Sequence, residues 1–195
     1  TYAAIRLSGM PEDRVIGSGT VLDTARLKQI IGERLEVDPR NVPARILGEH
    51  GDSEIIAWSS AHVAGIPLED FFNMRAEGSY AAFRDEMSDL VRNAAYEIIR
   101  RKRATYYGIA LSVKRICEAI VRDEKSVLSV SNMLHGEFGI EGVALSTPCI
   151  VGRAGIEGRM PPSLNYAEQQ SLKESAALLR EVIDEIALED AGAEA

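Results

Sequence analysis

Apolar and polar positions follow two different periods along this chain, and each change of period marks an element. Residues 2–7 have the spacing of an amphipathic helix. Residues 14–19 (RVIGSG) are a short apolar run closed by glycines, which predicts a strand and a turn; residues 20–36 then place Leu27, Ile30, Ile31 and Leu35 at helical intervals. A second strand-like run, 44–48, leads through the polar loop 49–54 into an apolar segment, 55–63, so the loop is expected to be pinned between strands. Two stripes predict long helices in the middle: Phe83, Met87, Leu90, Val91, Ala94 and Ile98, then Ile109, Val113, Ile116 and Ile120. Residues 126–133 and 142–151 read as a hairpin joined through Gly136 and Gly139. Asn165, with Glu168 three residues on, has the form of a helix N-cap before Leu172, Ala176, Leu179, Ile183 and Ile186 on one face, and residues 189–195 are expected to fray. Strands clustered apart from helices predict an α+β domain, antiparallel hairpins packed against long helices, rather than repeating βαβ units.

Composition narrows the picture. A length of 195 residues with 46% hydrophobic content fits one domain spanning residues 1–195. A formal net charge of -8 repels phosphate backbones and anionic lipid, so neither nucleic acid nor a membrane is an expected partner. An anionic substrate would need a dedicated local cation. Cys117 and Cys149 lie far apart, without metal-ligand spacing, so no metal is expected, and a reducing, cytoplasmic setting fits. No stretch reaches the roughly 20 apolar residues of a membrane span, and the start has no signal-peptide layout. The chain opens without Met inside a helical pattern, so a preceding segment is expected.

Three segments could carry chemistry. In Gly48-Glu49-His50-Gly51-Asp52 an imidazole sits among carboxylates, between two apolar runs. A nearby carboxylate keeps an imidazole charged to higher pH, which suits a general acid; a surface-loop histidine with one hydrogen bond is the plainer alternative. In Thr20-Val21-Leu22-Asp23-Thr24-Ala25-Arg26, Asp23 and Arg26 share a helix face. A capping box between Thr20 and Asp23 would by itself account for Asp23. Arg26 in the first turns opposes the helix dipole and needs an anion, either a substrate carboxylate gripped by its planar fork or an ion pair to Asp23 or Glu33. The third segment, residues 100–109, carries four consecutive bases, which most simply complement a helix end, and Thr105, which could be only an N-cap. His62 and His135 have no accompanying constellation. There is no GxSxG, HExxH or GxxxxGK[ST], and the dinucleotide fingerprint fails because position 22 is Leu.

With its motifs LSGMPEDRVIGSGTVLDTAR (residues 7–26), GEHGDSE (48–54) and RATYYGIA (103–110), the chain resembles the C-terminal part of bacterial L-lactate dehydrogenases. The resemblance implies a role for each candidate. His50 would donate the proton to the pyruvate carbonyl, Asp23 would orient it, and Arg26 would grip the substrate carboxylate. Thr105 would face the substrate's side chain, while Ser18 and Ile109 would meet the nicotinamide. It further implies NAD as cofactor, bound mainly by an N-terminal domain not in this chain, an arginine-bearing lid also elsewhere, and a homo-oligomer, typically a tetramer. Glu49 and Thr105 favour lactate over malate, which shares the Asp, Arg, His set. Where relatives activated by fructose 1,6-bisphosphate bind phosphate with an arginine and a histidine, this chain has Lys28 and Pro43, so weak or absent activation is expected. Arg103 replaces a common glycine, for no physical reason the sequence reveals.

Two other classes compete with the oxidoreductase: a folded oligomerisation module, and a metal-dependent hydrolase using His50, Glu49 and Asp52, three adjacent loop residues that rarely converge on one ion. Arg26 and His50 decide between them. A separation beyond about 10 Å would put them out of reach of one small substrate.

Overall fold

A computed structural model describes residues 1–102 and 106–186, with the side chains of 95–99 and 101–102 outside the described set. The predicted fraying of 189–195, and Thr105 and Arg103, fall outside it too.

The first helix, α1 (Tyr2–Ser8), buries no residue and ends on Gly9 in the left-handed conformation (φ 64°). A 3-10 turn at Glu12–Arg14 follows, then α2 (Val21–Leu35). The predicted strand at 14–19 does not form. Instead, the segment touches the sheet at one residue pair, Gly17 and Ser131, which exchange N–H···O bonds of 3.0 Å each. Gly19, at φ 49°, then turns the chain into α2, and any Cβ there would fall 2.6 Å from the Ser131 amide nitrogen. Along α2, Leu27, Ile31 and Leu35 recur every four residues and are at most 2% exposed, so one stripe anchors the helix.

The loop expected between strands is pinned as predicted. β1 (Ile46–Leu47) and β2 (Ile55–Ile56) pair antiparallel, Leu47 opposite Ile55, and Gly48 bridges Ser146. The remainder of the 55–63 run breaks into a 3-10 turn at Trp58–Ser60 and β3 (His62–Val63), which pairs with β4 (Ile66–Pro67). α3 (Leu68–Arg75) and α4 (Tyr80–Lys102) follow, their Phe72, Phe83, Met87 and Val91 closing over α2 and Trp58 in one apolar cluster.

α5 (Tyr107–Val121) lies on the main sheet, burying Ile116 and Ala119. That sheet is β5 (Ser126–His135), β6 (Glu141–Gly152) and β7 (Gly155–Arg159), antiparallel in the order β5-β6-β7. The expected hairpin is there; β7 was not expected. Its sequence, GIEGR, has little apolar alternation because it is an edge strand reached by a two-residue turn, Arg153-Ala154, with the Asp123 carboxylate accepting from the Arg153 N–H at 2.8 Å. Three stripe positions also depart from expectation: Leu90, Val113 and Ile186 are about half exposed, each at the margin of its helix's buried face.

α6 (Tyr166–Ile186) starts on the predicted cap, the Glu168 N–H donating to Asn165 Oδ1 (2.9 Å) and the Asn165 N–H to Glu168 Oε2 (3.1 Å). It packs Leu172 and Ala176 against Leu47, Ile55, Val143 and Leu145, behind the 48–54 loop. The architecture is the expected α+β arrangement of short antiparallel sheets and long helices.

Candidate active site

Two threonines fasten the start of α2 to β1. The Thr20 hydroxyl donates to the Ile46 carbonyl (2.6 Å), the Ile46 N–H donates to Thr24 Oγ1 (3.0 Å), and the Thr20 N–H reaches Ser146 Oγ (3.1 Å). All of these groups are buried. The hydroxyl of Thr20 is therefore spent on β1 and makes no capping bond, so the capping box does not account for Asp23. One turn in, Asp23 is 4% exposed, near the positive end of α2, and both its oxygens are used. Oδ2 lies 2.7 Å from His50 Nδ1, and Oδ1 accepts from Arg26 Nη1 at 3.1 Å.

Arg26 thus makes one of the two ion pairs open to it, and Asp23 is the partner. Its separation from His50 is bridged by a single carboxylate, well inside the reach of one small molecule. Arg26 is largely shielded, with its side chain 15% exposed.

His50 comes from a loop held at both ends. β1 and β2 clamp its stems, and Ser175 of α6 takes its middle: the Glu49 N–H donates to Ser175 Oγ (3.0 Å), and Ser53 Oγ and Ser175 Oγ lie 3.0 Å apart. Gly48 (φ 92°) permits the approach, since a Cβ there would be 3.0 Å from Ser175 Oγ. With Nδ1–H given to Asp23, Nε2 is the nitrogen left to carry a transferable proton. The hydrogen bond to Asp23 holds the imidazole above its usual range against the opposing effect of burial, with the charges of Asp23 and Glu54 adding to the rise and Arg26 opposing it.

Glu54 ends the loop and is the neighbour that sequence reasoning left without a role. It, His50 and Asp23 each bring one oxygen or nitrogen to within 4.8 Å of the other two. Burial, then the charge of Asp23, pushes the Glu54 carboxyl up to about 7. The triad of Glu49, His50 and Asp52 imagined for a hydrolase does not assemble, because the Glu49 carboxylate accepts from Ser53 Oγ at 2.5 Å.

A cleft of about 360 Å³ opens beside His50, lined by Ser18, Gly19, Gly48, Ser131 and Ser146 among others. Ser18 and His50 therefore line the same cleft. Ile109 is half-buried in the first turn of α5, and Gly108 brings that turn onto α2, where a Cβ would sit 3.1 Å from Leu22, the residue before Asp23. Thr105 lies outside the described residues. Ser175 was also missed, although a serine on the apolar face that carries Leu172, Ala176 and Leu179 was a visible signal.

The lactate/malate dehydrogenase, alpha/beta C-terminal domain matches residues 20–189. The chain belongs to the lactate/malate dehydrogenase family. It is 50% identical over 183 residues to an L-lactate dehydrogenase of Acetivibrio thermocellus, covering 94% of this chain and 58% of that protein. It is 49% identical over 189 residues to one of Moorella thermoacetica, covering 96% and 60%. Among solved structures, the minor L-lactate dehydrogenase of Enterococcus mundtii in its ligands-bound form superposes with a TM-score of 0.91 at 42% identity, over 96% of this chain and 60% of that one. A lactate dehydrogenase from a deep-sea metagenome library gives a TM-score of 0.92 at 41% identity, over 95% and 59%. As a family member, the chain spans about six tenths of the length of these relatives.

Proposed function

We propose that this chain is the substrate-binding and catalytic part of an NAD-dependent L-lactate dehydrogenase, interconverting L-lactate and pyruvate. The observation that carries the reading is the Asp23 carboxylate, which holds a planar cation on one oxygen and a proton donor on the other. The names of the relatives support the substrate.

NAD supplies hydride at the nicotinamide C4 when bound. The residues of this chain fit only the nicotinamide end: Ser18 offers a hydroxyl in the cleft beside His50, and Ile109 an apolar side chain at the start of α5. The pyrophosphate and ribose contacts belong, in this reading, to a nucleotide-binding domain outside these residues.

Arg26 binds the pyruvate carboxylate through the part of its fork not given to Asp23, which fixes the face of the carbonyl presented to the hydride. His50 then delivers the Nε2 proton to the carbonyl oxygen as hydride reaches the carbon. Asp23 stabilises the imidazolium beforehand and leaves neutral imidazole as the product state. Lactate oxidation runs the same proton back onto Nε2. The enzyme works as a homo-oligomer, a tetramer by resemblance, in the cytoplasm; among the described residues no helix is long and apolar enough to cross a membrane.

NADH consumption by the full-length polypeptide tests this reading. Pyruvate is expected to exceed oxaloacetate by at least about tenfold in kcat/KM. A preference for oxaloacetate would make the enzyme a malate dehydrogenase, and no turnover of either would sink the oxidoreductase reading. Fructose 1,6-bisphosphate is expected to leave the half-saturation point for pyruvate nearly unchanged. Pro43 offers no phosphate ligand, which leaves Lys28 as the one matching position that could still bind phosphate. A drop of about tenfold on adding the sugar would contradict this.

A further inference from the structure

We propose that Glu54 is a positioning residue for the proton donor: its carboxylate is a second counter-charge, beside Asp23, that keeps the imidazole of His50 protonated. This rests on the reading of His50 as the acid and assigns a role that the Asp23–His50 pair does not cover.

The geometry is a three-way approach. Asp23 comes from α2, His50 and Glu54 come from the two halves of one loop, and their polar atoms lie within 4.8 Å of one another. The loop is short and clamped, so this approach is built in: the Glu54 N–H closes a turn onto the Gly51 carbonyl (3.1 Å), and Ile55 enters β2 directly after it. The charged groups facing Glu54 are Asp23 and Arg26 from α2, His50 from its own loop and Arg92 from α4. On its other side, a cavity of about 420 Å³ is bordered by Arg84 and Arg92 of α4, by Asp52 of its own loop and by Glu168 and Glu174 of α6. Glu168 is committed to Ser59 and to the α6 cap, and among the charges acting on Glu54 those of Asp23, His50 and Arg26 outweigh that of Arg92.

Two carboxylates at this distance repel, and the imidazolium and Arg26 offset the repulsion. The consequence for His50 has a definite sign. While Glu54 is neutral, Asp23 alone holds the proton. As pH rises through about 7, Glu54 ionises, and its new charge makes deprotonation of His50 harder. The two titrations therefore oppose each other. His50 loses its proton at higher pH, and over a wider range, than it would beside Asp23 alone.

The Cε1–H resonances of His50, His62 and His135, assigned by single His→Gln substitutions, can be followed by NMR in the full-length polypeptide across pH 5 to 10, for the wild type, Glu54→Gln, Glu54→Asp and Asp23→Asn. Glu54→Gln is expected to lower the His50 midpoint by about half to one pH unit and to narrow its titration, with His62 and His135 unmoved as markers of an intact fold. Glu54→Asp, which keeps the charge, should restore most of the shift, something a packing role would not produce. A His50 midpoint that falls in Asp23→Asn but not in Glu54→Gln would overturn the proposal and leave the proton-donor reading standing. One that falls in neither would overturn both.

Discussion

His50 and His135 each place a ring nitrogen against a carboxylate, and their side chains are almost equally exposed, 58% and 54%. The acids differ. The side chain of Asp23 is 5% exposed and spends its two oxygens on His50 and Arg26, whereas that of Glu12 is 31% exposed and pairs with both His135 and Arg159. Arg159 also bonds Asp13, Asn132 and the Met133 carbonyl, so the His135 pair belongs to a clamp that ties the 12–14 turn to the sheet. A carboxylate shut away from water must take its stabilisation from protein cations, and it then governs their protonation and orientation. An exposed one is solvated whether or not its partner stays. The burial of the acid, more than the exposure of the histidine, separates the proposed proton donor from a surface ion pair.

Breaking the buried pair should have the largest effect. Asp23→Asn in the full-length polypeptide should lower kcat/KM for pyruvate by about a thousandfold, since it removes the counter-charge and the fixed tautomer together. Glu12→Gln, the matching change at His135, should leave steady-state kinetics within about twofold. Equal losses would dissolve the comparison. Next comes Arg26→Lys, which keeps the charge but not the fork. It should raise the Michaelis constant for pyruvate by about ten- to a hundredfold and lower turnover, and unchanged kinetics would remove Arg26 from the substrate site.

Ser175→Ala probes how the loop is held. Losing the hydroxyl that receives the Glu49 N–H should cost about 1 kcal/mol in urea unfolding and lower kcat a few-fold with little change in the Michaelis constant. A variant as active as the wild type would show that the strand stems alone hold His50. The smallest effect is on stability. Because His50 is raised in the folded chain, its pairing with Asp23 contributes fully below the unfolded midpoint near 6.5 and is lost as pH rises through the folded one. Solvent screening of the half-exposed ring keeps this below about 1 kcal/mol. The stability gap between wild type and His50→Gln should therefore shrink between pH 6 and pH 9, and a gap that widens would reverse the sign assigned here.

Much of this site was legible in the chain because its residues come in short runs. Asp23 and Arg26 share a helix face through their spacing, and GEHGDSE announces a polar loop between apolar stems. What spacing alone could not do was choose between Thr20 capping Asp23 and Asp23 serving His50. That choice depends on β1, which takes the Thr20 hydroxyl from 26 residues away in sequence. Ser175 and β7 were hidden for a similar reason. A serine 122 residues from Ser53, and an edge strand of glycines and charged residues, acquire their roles only from long-range packing. The run at 14–19 misled because apolar content close to glycines predicts a strand, while here the glycines serve close backbone approach to Ser131.

The central claim is that a protonated His50, held by Asp23, limits pyruvate reduction. It is tested most directly by kcat/KM for pyruvate against pH in the full-length polypeptide. The predicted profile is level at acid pH and falls along one alkaline limb with its midpoint above about 6.5, the ordinary histidine value, and that limb is lost in His50→Gln. A rate that rises with pH through this range, or an alkaline limb that survives in His50→Gln, would contradict it.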